Sequence, residues 1–191
     1  MMNIVIFGPP GAGKGTQSTK LKDKFGLVHI STGDVFRALD PSSDLAKLAK
    51  SYSDQGNLVP DDITIKILQS EVEKYPDAEG VIYDGFPRTT AQAEALDLFL
   101  TSKNSAISMA LALEVEEEEL RSRLKNRAID SGRPDDADPA IIQNRIDVYN
   151  AQTAPVANHY KSQGKYVGVH GIGSIDEIFD RLCDAVQNKV T

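Results

Sequence analysis

Short apolar segments alternate along the chain with longer segments whose apolar residues recur at helical spacing. Several of the short segments are continuously apolar, which is the pattern of parallel strands that are buried on both faces. We predict strands at residues 3–7, 27–30, 81–84, 107–113 and 166–169. The longer segments predict helices at residues 14–25, 62–73, 89–102, 116–128, 139–163 and 175–189.

Start signals support several of these helices. Ser174 and Glu177 have the spacing of a capping box, and Asp138 precedes a proline at the first helical position. Asp61 follows a Val-Pro pair and can cap the next helix. The alternation of strand and helix predicts an α/β fold with a doubly wound parallel sheet, in which ligands bind beyond the carboxyl ends of the strands.

Two segments interrupt the alternation. Residues 31–60 form a helical excursion after the second strand, and we interpret them as a small inserted subdomain. Residues 129–138 are a polar loop between two helices, with too few apolar side chains to pack, and we interpret them as a mobile flap.

Composition and charge restrict the classes of protein that fit. The 191 residues suit one globular core with insertions, and 40% hydrophobic with 26% charged residues is ordinary for a soluble protein. A net charge of -7 argues against a nucleic-acid-binding protein that relies on a basic face. The single cysteine, Cys183, leaves no intrachain disulfide and no cysteine-rich zinc cluster. With no secretory leader and no apolar run of membrane-spanning length, we expect a cytoplasmic enzyme, monomeric and without a membrane partner.

The chemistry begins at residues 8–16, between the first strand and the first helix. Glycines at this joint let the backbone wrap a phosphate, and successive N–H groups then point inward as an anion-binding nest. The helix that starts near Lys14 adds the positive end of its dipole, and the lysine itself can reach the phosphates. The alternative, a turn whose glycines serve only the backbone, accounts poorly for the lysine.

One position in this loop departs from the common phosphate-loop pattern. That pattern places Ser or Thr directly after the lysine, where the hydroxyl binds Mg²⁺. Here Gly15 follows the lysine and the hydroxyl comes one residue later, at Thr16. We therefore expect a Mg²⁺ ion held mainly by waters and nucleotide oxygens, with no direct protein ligand.

The third predicted strand ends in a second candidate site. Asp84 stands at the carboxyl end of a buried strand, where a carboxylate suits a Mg²⁺-bound water. Gly85 permits a sharp turn, and Arg88 stands at a helix start, where the dipole opposes a cation. Such a placement indicates that Arg88 binds an anion.

Two further positions have competing interpretations. Ser31 and Asp34 fit a helix capping box, which leaves Arg37 one turn further on as a candidate phosphate ligand. Gln92 lies three residues after Thr89 and can complete a capping box, but its amide can also bind a purine edge.

Arginines and acids around the polar loop form the last candidate group. Arg127 ends a helix, Arg133 lies in the loop, and Arg145 lies in the next helix. Guanidinium groups from separate segments, aimed at one phosphate loop, stabilise the charge that develops during phosphoryl transfer. Asp135 and Asp136 can hold these arginines, or they are plain loop acids. By contrast, we expect the acids of residues 116–119 to form a solvated helix start, with Arg121 and Arg123 paired to them at the surface.

At this point the chain closely resembles the adenylate kinases, over essentially its full length. The motifs that carry the resemblance are Gly8-Pro9-Pro10-Gly11-Ala12-Gly13-Lys14-Gly15-Thr16, Ser31-Thr32-Gly33-Asp34-Val35-Phe36-Arg37, Leu58-Val59-Pro60-Asp61, Asp84-Gly85-Phe86-Pro87-Arg88 with Gln92, Gly132-Arg133-Pro134-Asp135-Asp136, and Asn144-Arg145.

The resemblance implies a fold and a division of the chain. The fold is a three-layer α/β/α P-loop NTPase with a five-stranded parallel sheet, an inserted helical subdomain that binds the nucleoside monophosphate (NMP), and a short lid. The core would comprise residues 1–30, 61–126 and 139–191, the NMP-binding subdomain residues 31–60, and the lid residues 127–138. Because the lid lacks the long, cysteine-bearing insert of some relatives, we expect no structural zinc.

The resemblance also implies the reaction ATP + AMP = 2 ADP with Mg²⁺, by direct in-line transfer, which balances the adenine nucleotides. It places ATP on Gly11, Ala12, Gly13, Lys14, Gly15, Thr16, Arg127 and Gly173. It places AMP on Thr32, Arg37, Asn57, Leu58, Val59, Gly85, Phe86, Pro87, Arg88, Gln92, Arg133 and Arg145. The catalytic set would be Lys14, Asp84, Arg88, Arg127, Arg133 and Arg145, with Asp135 and Asp136 as lid acids.

Other functions remain open on the sequence. A UMP/CMP kinase shares the fold, although such relatives tend to carry Ala and Asn where this chain has Thr32 and Gln92. A P-loop ATPase or switch without an AMP acceptor is a different class, and so is a protein that binds nucleotide without turnover. Turnover of CMP alone, or ATP consumption that ignores AMP, would distinguish these classes.

Overall fold

The computed structural model describes residues 1–131 and 136–190. Within them, one parallel sheet of five strands has the order β2-β3-β1-β4-β5. The strands are β1 (Met2–Phe7), β2 (Val28–Ser31), β3 (Gly80–Asp84), β4 (Met109–Glu114) and β5 (Tyr166–His170). The predicted parallel α/β sheet is confirmed, with strand bounds that differ by one or two residues.

Helices connect the strands and cover both faces of the sheet. They are α1 (Lys14–Phe25), α2 (Thr32–Arg37), α3 (Asp44–Ser53), α4 (Asp61–Val72), α5 (Thr90–Ser102), α6 (Glu117–Ser131), α7 (Pro139–Val148), α8 (Val156–Ser162) and α9 (Ile175–Val190). No helix in residues 1–131 and 136–190 has the length and apolarity needed to cross a membrane.

Alternate residues of the central strand pack into two separate cores. Ile4 and Ile6 face a cluster that includes Leu21 of α1 and Leu182 of α9. Val5 faces the opposite cluster, with residues of α4, α5 and α8. A strand that is apolar on both faces therefore lies between two helical layers, as the unbroken apolar run predicts.

The predicted helix at residues 139–163 is wrong as one continuous element. After α7 the chain forms a π-helical turn, Tyr149–Thr153, in which the Ala154 amide donates to the Tyr149 carbonyl over 2.8 Å. Pro155 then stands before α8, which starts at Val156. A proline lacks the amide that a continuing helix needs, so the helix restarts there.

The predicted cap at Asp61 is also wrong in detail, while two other predicted caps are confirmed. Asp61 is the first residue of α4, and Pro60 occupies the capping position without a side-chain hydrogen bond. Asp138 caps α7 by accepting from the Ala140 amide, and Ser174 and Glu177 exchange both bonds of a capping box before α9.

The pairing register of the strands brings the loops of the candidate site to one edge of the sheet. Ile6 of β1 and Ser31 of β2 both pair with Asp84 of β3, so these three strands end at one level. The loop after β1, the loop after β3 and the start of α2 therefore meet at the carboxyl edge of the sheet, where ligands bind in open α/β sheets.

Candidate nucleotide-binding and phosphoryl-transfer site

The loop after β1 has the backbone of a phosphate cradle. Gly11 and Gly13 have φ of +84° and +93°, which L side chains rarely adopt. A Cβ at Gly11 would also lie 2.9 Å from Cγ of Leu124 in α6. Gly13 has a left-handed backbone conformation and stands directly before α1, so the first amides of that helix face the loop. Gly15 and Thr16 follow in the exposed first turn.

Lys14 folds back over its own loop. Its Nζ donates to the carbonyls of Gly8 and Pro9 over 2.9 and 3.1 Å. Burial lowers the pKa of Lys14 from 10.5 to about 7. The negative charge of Asp84 opposes this shift, whereas the positive charges of Arg88, Arg145 and Arg127 add to it. The structure thus brings three of the predicted arginines into the electrostatic field of the P-loop lysine.

Asp84 lies under this loop and is buried. Its Oδ2 lies 3.7 Å from the position that a Cβ at Gly15 would take. The same oxygen is 3.1 Å from Nε2 of His29, on the neighbouring strand β2. His29 was not predicted as a site residue. The contact depends on β2 lying beside β3, and the sequence does not state the strand order.

The donor set around Asp84 fits a magnesium ion that is bound through water. Among the described residues, no group of three or more His, Cys, Asp or Glu side chains is arranged to hold a metal ion. Mg²⁺ keeps several waters and takes its remaining oxygens from one or two carboxylates and from substrate phosphates. A buried carboxylate beside a phosphate loop supplies that kind of site.

The end of β3 joins two residues predicted to hold AMP. The Gly85 carbonyl accepts from Oγ1 of Thr32 over 2.9 Å and from Nε of Arg88 over 2.7 Å. Burial lowers the pKa of Arg88, and the charges of Arg145 and Arg37 lower it further, while Asp84 raises it. Several cations therefore share a small volume, and this arrangement favours the binding of a polyanion.

The remaining predicted AMP residues surround this end of the sheet. Arg37 is half-exposed and pairs with Asp34 on its own helix. Phe86 packs in the core, and the peptide bond to Pro87 is cis. Asn57 accepts from Nδ2 of Asn144 over 3.0 Å, which ties the loop before α4 to α7. Leu58 and Val59 follow in that loop and are partly buried.

Gln92 is buried at the start of α5 and does not complete the capping box. Thr89 does cap the helix, because its Oγ1 accepts from the Gln92 amide over 3.2 Å. The Gln92 side chain reaches one residue further and accepts from the Arg88 amide over 2.7 Å. Its Nε2 donates to Asp61 over 2.8 Å. Of the two interpretations, the capping box is therefore only half correct.

Asp136 brings two of the predicted arginines together. Arg127 donates to both carboxylate oxygens, over 2.5 and 2.8 Å, and Arg145 donates to Oδ1 over 2.6 Å. Burial raises the pKa of Asp136, but the hydrogen bonds and charges of the two arginines outweigh it and lower the pKa below its usual value. The predictions for Arg133 and Asp135 lie outside the described residues.

Arg123 contacts the phosphate loop, and this contact was not predicted from the sequence. Its predicted pair with Glu119 is present at 2.7 Å, but the side chain also donates to the Gly171 carbonyl over 2.9 Å and reaches the Ala12 carbonyl at 3.5 Å. Arg123 therefore links the phosphate loop to the loop after β5, which contains Gly173. The signal was available, because Arg123 and Arg127 are four residues apart and share a helix face.

Comparisons with known proteins show the family of this chain. The sequence model of the family described as adenylate kinase matches residues 6–165. The chain belongs to the adenylate kinase family. It is 51% identical to an adenylate kinase of Flavobacterium psychrophilum over 189 residues, covering 98% of this chain and 100% of the relative.

Two further members of the adenylate kinase family show the same extent of similarity. An adenylate kinase of Phocaeicola vulgatus is 50% identical over 98% of this chain and 99% of its own length. One of Bacteroides fragilis is 50% identical over 97% of this chain and 98% of its own length. The similarity thus includes the phosphate loop, the end of β3 and the segments around Asp136.

Proposed function

We propose that this chain catalyses the reversible, Mg²⁺-dependent transfer of a phosphoryl group between ATP and AMP, giving two ADP. The observation that carries the proposal is the placement of the arginines at the carboxyl edge of the sheet: Asp136 joins Arg127 to Arg145, and the end of β3 holds Arg88. The charges of all three act on Lys14 in the phosphate loop. Membership of the adenylate kinase family supports the same reaction. A switch that binds one nucleotide needs no second nucleotide site, so it does not account for the whole set of arginines.

In this proposal the phosphates of ATP lie on residues 11–16, with Lys14 released from the loop carbonyls to bind them. Arg123 and the loop that contains Gly173 border the base of ATP. AMP lies between α2, residues 57–59 and the end of β3, with its phosphate on Arg37 and Arg88. Arg145 and Arg133 bridge toward the transferred group.

The reaction needs no phosphorylated residue and no strong general base. The acceptor is an anionic phosphate oxygen, so catalysis consists of positioning and charge stabilisation. Arg88, Arg127 and Arg145 provide guanidinium groups that are held before the substrates arrive. Mg²⁺, bound by phosphate oxygens and by waters near Asp84, would supply neutralisation of the phosphate charge.

Water must be excluded, because a water molecule at the transferred phosphoryl group would turn transfer into hydrolysis. We assign this role to closure of the lid, residues 127–138, and of the NMP-binding subdomain, residues 31–60, over the core. The bond between Asn144 and the loop at Asn57 links α7, which follows the lid, to the chain just before α4. We further propose that the protein works as a cytoplasmic monomer and balances adenine nucleotides.

The test is an acceptor series under saturating MgATP, with ADP formation measured for AMP, CMP and UMP. We expect rapid ADP formation with AMP, much slower formation with the pyrimidine nucleotides, and little ATP loss without acceptor. Faster turnover of CMP would instead identify a UMP/CMP kinase. ATP loss that ignores AMP would identify an ATPase.

A further inference from the structure

Asp61 is a partly buried acid that the proposed reaction does not use directly, and it joins two residues of another helix. It is the first residue of α4. Its carboxylate accepts from Nε2 of Gln92 over 2.8 Å and from Oγ1 of Thr89 over 3.1 Å. The start of α4 is thereby joined to the start of α5, across 31 residues of sequence.

The two neighbours of the Gln92 amide allow only one orientation of that amide. The Arg88 backbone N–H can only donate, and it donates to Oε1 over 2.7 Å. The Asp61 carboxylate can only accept, so it requires the NH₂ group on its own side. A flip of the Gln92 amide would break both hydrogen bonds. Its NH₂ group would then face the Arg88 N–H, a second donor, and its oxygen would face the Asp61 carboxylate, a second acceptor.

The fixed amide keeps one donor and one acceptor for a ligand. A primary amide has two N–H donors and two acceptor lone pairs, and the contacts above use one of each. Adenine presents an acceptor at N1 beside a donor at N6, which matches an N–H and a lone pair of Gln92. Hypoxanthine and guanine present the reverse order, a donor at N1 beside an acceptor at O6.

We propose that Asp61 is a specificity-determining positioning residue, which holds the Gln92 amide in the orientation that accepts 6-amino purines and rejects 6-oxo purines. This inference rests on the proposed function, because it takes Gln92 to contact the base of the acceptor. Asp61 acts through Gln92 and touches no substrate.

IMP is the sharpest probe, since it differs from AMP at the 6-position and the adjoining N1 proton. The experiment compares kcat/KM for AMP and IMP in the unaltered chain, in Asp61→Asn, and in Asp62→Asn. Asn at position 61 keeps the size of the side chain but can donate as well as accept, so it removes one of the two constraints on the Gln92 amide and leaves only the Arg88 N–H to oppose a flip. Asp62 is the exposed neighbour in the same helical turn and serves as the matched control.

We expect Asp61→Asn to lower the AMP-to-IMP ratio of kcat/KM about tenfold, mainly through KM of the acceptor, with KM of ATP unchanged. That factor corresponds to about 1.4 kcal/mol, the value of one hydrogen bond in a buried site. Asp62→Asn should leave the ratio unchanged. In a Gln92→Ala background, Asp61→Asn should have no further effect on the ratio.

An equal loss for AMP and IMP in Asp61→Asn would overturn the inference, because a merely structural acid lowers both alike. So would a changed ratio in the Gln92→Ala background. If Asp61→Asn fails to fold, as judged from its Tm, Asp61→Ser gives the same comparison, because a hydroxyl can also donate as well as accept. Failure of the unaltered chain to use AMP at all would instead refute the proposed function.

Discussion

Lys14 should take up a proton when ATP binds. In the ligand-free site, burial and three arginines lower its pKa from 10.5 to about 7, a difference on the order of 5 kcal/mol between its charged and neutral forms. The phosphates of ATP bring several negative charges to this nitrogen and should return its pKa towards 10. At pH 8 the free lysine is then about nine-tenths neutral, and the bound lysine is almost fully charged.

The expected magnitude is about 0.9 proton per ATP at pH 8, about 0.5 at pH 7 and about 0.1 at pH 6. By linkage, the affinity for ATP should fall about tenfold per pH unit between pH 8 and pH 9. ATP itself contributes little at pH 8, because a phosphate has its second pKa near 6.

Calorimetry in buffers of different ionisation enthalpy measures this uptake from the slope of the apparent binding enthalpy. Lys14→Met should abolish the uptake, and Lys20→Met, a substitution on the same helix, should retain it. Uptake below about 0.2 proton at pH 8 in the unaltered chain would refute the reasoning that repulsion and burial discharge the free lysine.

Three other substitutions test separate parts of the site. Arg88→Met should lower kcat by roughly 10³-fold or more while ATP affinity is retained, because this guanidinium acts on the transferred group. Steady-state kinetics measures the loss, with Arg121→Met as a surface control. A loss of kcat below tenfold would exclude this role for Arg88. Asp136→Asn should lower Tm and kcat together, because two arginines lose their shared carboxylate. Thermal denaturation and turnover measurements test both effects, with Asp130→Asn as the control. An unchanged kcat would contradict the assignment. His29→Leu should raise the Mg²⁺ concentration needed for half-maximal rate, because Asp84 loses its partner, whereas His29→Gln should not; a Mg²⁺ titration of both variants decides.

Local patterns were sufficient to predict the strands and the glycine-rich loop after β1. A strand formed by an unbroken apolar run, such as residues 3–7, must bury both of its faces, so it lies between two helical layers. The glycines and the lysine of residues 8–16 are close together in the sequence, so their arrangement follows from the local sequence. The same holds for Asp84 and Gly85, whose roles depend on where their own strand ends.

Features that depend on tertiary neighbours were not predicted. His29 contacts Asp84 because β2 lies beside β3, and Asp61 contacts Gln92 because α4 packs beside α5. The periodicity of the sequence predicts the elements but not which of them are neighbours in the fold. The break after α7 had one visible sign, Pro155, which was too weak to outweigh an otherwise helical pattern. The residue roles and the division into subdomain and lid stay predictions.

We propose that distant cations gather over a glycine-cradled polyphosphate while two segments close. A crystal structure with a molecule that joins ATP to AMP through its phosphates tests this most directly. We expect Nζ of Lys14 to contact the phosphates rather than Gly8, and the guanidinium groups of Arg88, Arg127 and Arg145 to lie within hydrogen-bond distance of the bridging phosphates. A complex in which the AMP half is unbound, or in which these three arginines do not reach the phosphates, would contradict it.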